Sequence, residues 1–292
     1  MKSYRFDFPI IAWMLACHLL AVPAFFSLSW ENFTIFLIAN FISTCLGITL
    51  GFHRLISHRS LKTHTFTKRL LATCGALALQ RGPITWAATH RTHHAKSDHD
   101  GDPHDSRRGL FFSHMGWLLV KNPDLEDLTL RRRMTRDLQN DPYLRFIDQI
   151  WVQILMQVIL GLSLLYFGGW QWMIWGVFFR LTFCYHATWT INSLTHWFGY
   201  KRFHSNDNSR NNIITALFTW GEGWHNTHHA HERMARHGIA TWEIDITWYI
   251  IVVMEALGLA WDVQRLPKDA EQDACERSLP LVHKLRQRQA TL

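Results

Sequence analysis

Four long apolar stretches constrain this chain more than any other feature of its sequence. A helix that spans a bilayer needs about 20 consecutive apolar residues, and runs close to that length occupy residues 10–28, 33–52, 150–167 and 170–198. Two shorter runs, 70–79 and 246–259, are predicted to be re-entrant or interfacial helices. The chain is therefore expected to be an integral membrane protein.

One charged residue, Arg180, lies inside the fourth run. At a rise of about 1.5 Å per residue, it is about 16 Å from the outer loop. An ionised side chain at that depth is costly in lipid, so Arg180 is expected to face the interior of the helix bundle. The sequence assigns it no role.

The distribution of positive charge predicts the orientation of these spans. The runs pair as two hairpins with short outer loops at 29–32 and 168–169. Of the 30 Lys and Arg residues, two precede the first run, 16 lie between residues 53 and 149, and 11 follow Trp197. Because Lys and Arg accumulate on the cytoplasmic side, both termini and the polar segments 53–149 and 199–292 are predicted to be cytoplasmic.

This topology accounts for the formal net charge of +7 without a nucleic-acid partner. The basic face is expected to contact anionic membrane lipids. The five cysteines are far apart and form no C-x-x-C motif, which argues against a disulfide scaffold, a zinc ribbon and an iron–sulfur site.

Nine of the 19 histidines are concentrated in four short motifs. The motifs H-R-L-I-S-H, H-R-T-H-H, N-S-L-T-H and H-N-T-H-H contain His53, His58, His90, His93, His94, His196, His225, His228 and His229. On an α-helix, positions i, i+3 and i+4 share a face, so each H-x-x-H-H motif is predicted to present three imidazoles to one point. Asn192 is predicted to stack one turn before His196. His53 and His58 are about 140° apart on an ideal α-helix. They would therefore lie on two sides of the point where the other imidazoles meet, or reach it from a broken helix end.

Nine neutral imidazoles are too many for one ion and suit a pair of transition metals. Zinc would be satisfied by four ligands, whereas a dimetal site with open positions beside a membrane indicates iron and oxygen chemistry. A carboxylate di-iron bundle uses two inward-facing Glu-x-x-His motifs, and this chain lacks such a pair, since Glu222 and His225 form its single Glu-x-x-His. The remaining histidines are expected to be packed or hydrogen-bonded: His18, His64, His99, His104, His114, His186, His204, His231, His237 and His283.

In these motifs the chain resembles membrane fatty acyl desaturases of the Δ9, stearoyl-CoA desaturase-like type, in the bacterial form without a fused haem domain. The resemblance runs from about residue 47 to 259. It includes G-F-H-R-L-I-S-H (51–58), D-P-H (102–104), S-R-R-G-L-F-F-S-H-M-G-W-L (106–118), T-W-T-I-N-S-L-T-H (188–196), G-E-G-W-H-N-T-H-H (221–229) and W-E-I-D-I-T-W (242–248). Membrane hydroxylases share the histidine plan, but with different spacings and neighbours.

The resemblance implies an all-α membrane protein with one domain over 1–292. Four transmembrane helices in two hairpins would carry a helical cytosolic cap with a histidine-ligated di-iron site. The nine histidines would be the iron ligands, Asn192 would bind iron through a water, and no further catalytic side chain is expected. With O2 as co-substrate and two external electrons, such an enzyme introduces a cis double bond into a saturated acyl chain.

The resemblance also implies a bent apolar tunnel for the acyl chain, lined near its bend by Gln80, Trp86, Thr188 and Trp189. Tunnel length and bend would set the position of the double bond, because an alkyl chain offers no polar group to recognise. Histidine ligands need acceptors for their second ring nitrogen. Asp98, Asp102 and Glu222 are close enough to the motifs to serve, or else to cap helices.

The acyl carrier and the electron donor remain open at this stage. Animal acyl-CoA desaturases tend to have Asn-Asp and Arg-Asp where this chain has Arg81-Gly82 and Ala88-Thr89, while Arg107 and Arg108 remain available for anions. The carrier could be CoA, acyl carrier protein or a glycerolipid. Since the sequence has no dinucleotide fingerprint or haem motif, the donor is predicted to be a separate acidic protein, ferredoxin-like or cytochrome-like, that docks on the positive cytoplasmic face.

Two alternatives to a desaturase follow from the same motifs. A hydroxylase on this scaffold would insert oxygen instead of removing a second hydrogen. A membrane metal-binding or transport protein would use the histidines as ion ligands. Transport sites lie near the bilayer midplane, whereas these motifs lie outside the apolar runs, so the sequence favours the enzyme.

Overall fold

A computed structural model describes residues 5–266, which are almost entirely helical. The helices are α1 (Phe8–Phe26), α2 (Trp30–Ser57), α3 (Thr65–Ala76), α4 (Pro83–Lys96), α5 (Leu110–His114), α6 (Pro123–Glu126), α7 (Leu128–Met134), α8 (Pro142–Ile147), α9 (Ile150–Trp197), α10 (Ile213–Phe218), α11 (His225–Ala230) and α12 (Ile246–Ala256). Single 3₁₀ turns occupy Ser106–Arg108 and Gly116–Leu118. Two short strands, β1 (Lys62–Thr63) and β2 (Ala260–Trp261), pair antiparallel.

Three of these helices are long and apolar enough to cross a membrane: α1 with 19 residues, α2 with 28 and α9 with 48. Large apolar side chains such as Leu15, Leu37, Ile154 and Leu162 are exposed along them. Because a helix satisfies its own backbone hydrogen bonds, a helix with apolar side chains on its surface can lie in contact with lipid. The four apolar runs of the sequence thus correspond to three continuous helical segments, because the third and fourth runs are joined.

Helix α9 folds back on itself at Gly169. This residue has φ 70° and ψ −170°, a conformation that glycine adopts without steric cost. The 150–168 arm and the 170–197 arm then lie side by side. Gln157 Oε1 accepts a hydrogen bond from Arg180 Nη2 at 2.8 Å. A Cβ at Gly161 would contact Val177 of the opposite arm at 3.7 Å.

The second half of α2, Phe41–Ser57, is π-helical. The backbone N–H of His58 donates to the carbonyl of His53 at 3.0 Å, an i→i+5 bond. Residues five apart then lie about one turn apart, and the two imidazole centroids are 4.8 Å apart. The separation of about 140° expected from the sequence assumed α-helical geometry and is wrong for this segment.

Helix α4, which carries H-R-T-H-H, is fixed at both ends. At its N-terminus, Asp148 Oδ1 accepts from the backbone N–H groups of Ile84 and Thr85, both at 2.9 Å. Near its C-terminus, Arg91 donates from Nε to the carbonyl of Ser57 and from Nη2 to that of Ile56, both at 2.8 Å. These contacts hold α4 against the end of α2.

Helix α11, which carries H-N-T-H-H, is held by side chains of neighbouring segments. Asn211 Oδ1 accepts from the backbone N–H of Thr227 at 3.1 Å. Asp245 caps α12 through the N–H of Trp248 at 2.9 Å and also forms an ion pair with the fully buried Arg54 of α2 at 2.9 Å. The segments around α11 and α12 are therefore joined to α2 close to the motifs H-R-L-I-S-H and H-N-T-H-H.

Candidate metal centre

The nine motif histidines converge in two adjacent groups. In each group, one ring nitrogen from every member lies within 4.8 Å of the others. The five-histidine group is His53, His58, His90, His94 and His228; the four-histidine group is His93, His196, His225 and His229. The structure thus brings together every histidine that the sequence selected.

Each H-x-x-H-H motif contributes to both groups, so the prediction that three imidazoles meet at one point is wrong. In α4, His90 and His94 belong to the five-histidine group and His93 to the other. In α11, His225 and His229 join the four-histidine group while His228 faces the five-histidine group. Positions i and i+4 differ by about 40° around a helix, whereas i+3 and i+4 differ by about 100°, which is too much for one small ion.

Carboxylates orient three rings of the four-histidine group. His93 Nδ1 lies 2.9 Å from Asp102, His196 Nδ1 lies 2.9 Å from Asp98, and His229 Nδ1 lies 2.5 Å from Asp207. Carboxylates only accept hydrogen bonds, so each Nδ1 carries the proton. Each Nε2 therefore presents a lone pair to the centre of the group.

Two of these lone pairs have no hydrogen-bond partner among the described residues. Nε2 of His93 and Nε2 of His229 are buried without a partner, and Nε2 of His196 faces Nε2 of His225 at 3.1 Å. Buried polar atoms left unpaired in this way are costly. A cation bound between the rings would satisfy all four nitrogens, so the donor set fits a metal ion of the kind that imidazoles bind.

The five-histidine group has the same character. His53 Nδ1 lies 2.7 Å from a Glu222 oxygen, and His53 Nε2 faces Nε2 of His228 at 3.0 Å. His228 Nε2 also lies 2.9 Å from His94 Nε2. Nε2 of His58 and Nε2 of His90 are 2.6 Å apart. This group also fits a metal ion bound by neutral imidazoles.

Burial keeps six of these imidazoles neutral. It lowers the pKa of His58, His90, His94, His225 and His228 well below the usual value, and neighbouring histidines lower it further. Burial also lowers the pKa of His229 to about 4, although Asp207 opposes this shift. For Asp98, burial would raise the pKa, but hydrogen bonds from His196 and Ser106 hold it below its ordinary value. Neutral rings and ionised carboxylates are the protonation states that metal binding requires.

Three residues at this centre were not identified from the sequence. Asp207 lies 22 positions before His229 in an Asn- and Ser-rich segment, where an Asp is typical of a turn and carries no other signal. His104 and His237 were expected to be packed or hydrogen-bonded and were not assigned to the centre. The His104 ring is 4.1 Å from that of His93, and His237 Nδ1 lies 3.1 Å from Glu222.

Three other histidines form a hydrogen-bonded chain outside both groups. His18 Nε2 lies 2.9 Å from His186 Nε2, and His186 Nδ1 lies 3.0 Å from His114 Nε2. Because His186 uses its two nitrogens on different neighbours, the three rings do not converge on one point. His283 lies outside the described residues.

Asn192 and His196 do not stack on one regular helix. Asn192 is half-buried at the end of a regular stretch, and a kink at Ser193 (φ −113°, ψ −73°) separates it from His196.

Arg107, expected to be open to anions, forms ion pairs with Asp105 at 2.8 Å and with Asp100 at 2.9 Å. Arg108 lies over the ring of Phe112 at 3.5 Å.

The four residues expected near the tunnel bend lie beside the histidine groups and the second arm of α9. Gln80 Nε2 donates to Thr188 Oγ1 at 2.9 Å. The Trp86 ring stacks on His90 with centroids 4.9 Å apart. Trp189 is buried and stacks on Tyr185 at 5.6 Å.

Sequence comparison identifies one matching family. The profile described as fatty acid desaturase matches residues 28–245. The sn-1 stearoyl-lipid 9-desaturase of Anabaena variabilis is 45% identical over 267 residues, which cover 89% of this chain and 96% of that protein.

Other relatives differ in acyl carrier and double-bond position. The icosanoyl-CoA 5-desaturase of Limnanthes douglasii is 42% identical over 89% of this chain and 72% of its own length. The chloroplastic palmitoyl-monogalactosyldiacylglycerol delta-7 desaturase of Arabidopsis thaliana is 39% identical over 91% of this chain and 71% of its own length. Carrier and position therefore vary among proteins of comparable similarity to this chain.

Proposed function

Because the chain belongs to the fatty acid desaturase family, we propose that it introduces a cis double bond at Δ9 of a saturated, glycerolipid-linked acyl chain. The carbon position and the lipid linkage are those named for the Anabaena relative, which this chain matches over nearly its whole length. A CoA or acyl carrier protein thioester is the alternative substrate. The observation that carries the proposal is the division of nine histidines into two facing groups.

We propose that the five-histidine and four-histidine groups each bind one iron ion. Bound iron and two external electrons would activate O2 to remove hydrogen from an unactivated methylene. Asn192 is proposed to hold a water for the centre. Asp98, Asp102 and Asp207 fix the ring orientations, since each accepts from the second nitrogen of a histidine. Glu222 lies 2.7 Å from His53 Nδ1 and is proposed to support that ring.

The acyl chain is proposed to pass between the histidine groups and the second arm of α9. Trp86 and Trp189 supply flat apolar walls that exclude water from the centre. The hydrogen bond between Gln80 and Thr188 joins the segment before α4 to the 170–197 arm and would define the bend. The reacting carbon is then selected by geometry, which orientation within a closed site can enforce.

We further propose four membrane spans with both termini in the cytoplasm. The fold-back of α9 supports two crossings by this helix, one for each arm. The backbone N–H of Lys121 donates to the carbonyl of Arg5 at 2.8 Å, which joins the segment before α1 to the predicted cap. The cap of residues 53–149 and 199–292 would then cover one end of a single domain over 1–292, and its positive charge would favour an acidic ferredoxin-like or cytochrome-like donor.

The decisive experiment is a fatty acid profile with double-bond localisation. A desaturase-deficient host would express the intact chain, a His93→Ala variant and a His99→Ala control. His99 is exposed in the same part of the chain and lies in neither group. We expect cis-Δ9 monoenes from the intact chain and the control, and loss of both product and iron content in His93→Ala.

The same profile separates the alternatives. Desaturation retained in His93→Ala would contradict the ligand assignment, and hydroxy acids would identify a hydroxylase. Iron uptake without a lipid product in a host that supplies reduced ferredoxin would favour a metal-binding protein. Confinement of new monoenes to one glycerol position would support a lipid-linked substrate, whereas an even distribution would point to a thioester.

A further inference from the structure

Arg180 is a fully buried cation within a membrane helix. It donates from Nε to the carbonyl of Gly176 at 2.7 Å, from Nη1 to Ser43 Oγ at 3.0 Å and from Nη2 to Gln157 Oε1 at 2.8 Å. Within residues 5–266, no carboxylate pairs with its guanidinium group. A charged side chain without a counter-ion at this depth costs free energy in a lipid environment. We therefore expect Arg180 to have a role that offsets this cost.

The fourth contact identifies what Arg180 stabilises. Its Nη1 also donates to the backbone carbonyl of Leu77 at 2.8 Å, and Gln157 Nε2 donates to the same carbonyl at 2.7 Å. Leu77 is the C-terminal cap of α3. The last carbonyls of a helix have no partner within the helix, and a cation is favoured by the helix dipole at that end.

The segment that follows α3 is attached to the 170–197 arm in register. Tyr185 donates from its hydroxyl to the carbonyl of Leu79 at 3.2 Å, and Gln80 donates to Thr188 at 2.9 Å. Along the arm, Arg180, Tyr185 and Thr188 therefore contact residues 77, 79 and 80 in that order. Leu79 and Arg81 have φ of 50° and 75°, a strained conformation that persists only when surrounding contacts impose it.

We infer that Arg180 is a positioning residue that sets the location of the double bond by fixing residues 77–80 against the second arm of α9. This inference rests on the proposed function, because it requires Gln80 and Thr188 to define the tunnel bend. The same segment leads directly into α4, which begins at Pro83 and carries His90, His93 and His94. Movement of the segment along the arm would change the distance between the bend and the metal ligands.

The test compares product isomers from three variants with those of the intact chain. Arg180→Lys keeps the positive charge but cannot reach all four oxygens at once, because an ammonium group is compact. Gln157→Leu removes the second donor to Leu77. Ser43→Ala is the control, since the hydrogen bonds of Ser43 within residues 5–266 join it to Arg180 and Ala39 and to none of residues 77–80.

We expect Arg180→Lys to lower the ratio of the main double-bond position to its neighbours about tenfold, equivalent to a small change in relative barriers. Gln157→Leu should shift the ratio in the same direction by less, and Ser43→Ala should leave it unchanged. A purely structural role would reduce inserted protein and total product while preserving the isomer ratio.

An unchanged isomer ratio in inserted Gln157→Leu and Arg180→Lys would overturn the inference. If Arg180→Lys fails to insert, Gln157→Leu alone decides it. Absence of any monoene from the intact chain would instead contradict the proposed function.

Discussion

At the scale of single residues, the centre depends on which atom of each histidine carries the proton. Asp98, Asp102 and Asp207 each accept from an Nδ1, and this leaves the Nε2 lone pairs of three rings directed inward. An imidazole without such an acceptor could rotate or adopt the other tautomer. The carboxylates are therefore expected to support metal binding although they lie on the far side of the rings from the proposed ions.

Asp207→Asn tests this dependence at the residue that the sequence did not reveal. The new amide can present its N–H₂ group to His229 Nδ1, which favours the wrong tautomer. We expect iron occupancy or desaturation to fall roughly 10- to 100-fold, measured as iron per protein and monoene yield. Asp100→Asn, at an exposed carboxylate paired with Arg107, is the matched control and should change neither. Equal iron content and equal monoene yield in both variants would contradict a role for Asp207 in orienting His229.

At the scale of elements, close packing holds α3 against the apolar helix α2. Helix α3 lies so near α2 that a Cβ at Gly47 would be 2.4 Å from the backbone carbonyl carbon of Cys74 and 2.4 Å from the backbone nitrogen of Gly75. Backbone atoms cannot move aside as a flexible side chain can. The approach also leaves the C-terminal end of α3 within reach of Arg180.

Gly47→Ala should therefore destabilise the protein. Overpacking of this kind costs about 1–3 kcal/mol, which exceeds the gain of roughly 0.5–1 kcal/mol from replacing glycine within a helix. Thermal unfolding in detergent would show a lower midpoint. Gly161→Ala is the control, because its Cβ would meet Val177 at an ordinary 3.7 Å. A midpoint for Gly47→Ala at or above that of the intact chain would contradict this packing argument.

At the scale of the whole molecule, the loop between α1 and α2 lies beside the turn at Gly169 of α9. Trp172, which follows Gly169, donates to Glu31 at 3.1 Å, and Trp175 donates to Ser27 at 3.1 Å. Both loops are thus predicted to be on the side of the membrane opposite the histidine groups. The proposed topology follows from this arrangement and from the distribution of Lys and Arg.

Labelling with a membrane-impermeant maleimide tests the topology. In a background with the native cysteines replaced, Leu28→Cys should react in intact cells, whereas Leu128→Cys should react only after permeabilisation. Both leucines are exposed, at 74% and 58%, so accessibility to label is comparable. Reaction of both in intact cells would refute the proposed separation.

Local chemistry in the sequence determined the apolar helices and the identity of the nine histidines. Hydropathy depends on residues that follow one another, and few side chains other than histidine bind transition metals at such spacings. The break at Gly169 was also predicted, as a loop between two apolar runs. The family followed from the same motifs and was confirmed by comparison.

Only the tertiary structure decided how these parts combine. The division of each H-x-x-H-H motif between two groups depends on how α4 and α11 face α2, which no local spacing encodes. The π-helical end of α2 brings His53 and His58 together, and Asp207 reaches His229 across a loop. Arg180 acquires a role through a carbonyl 103 positions away in the chain. Contacts of this kind arise from packing between distant segments, and their physical effect therefore becomes visible only when those segments are in place.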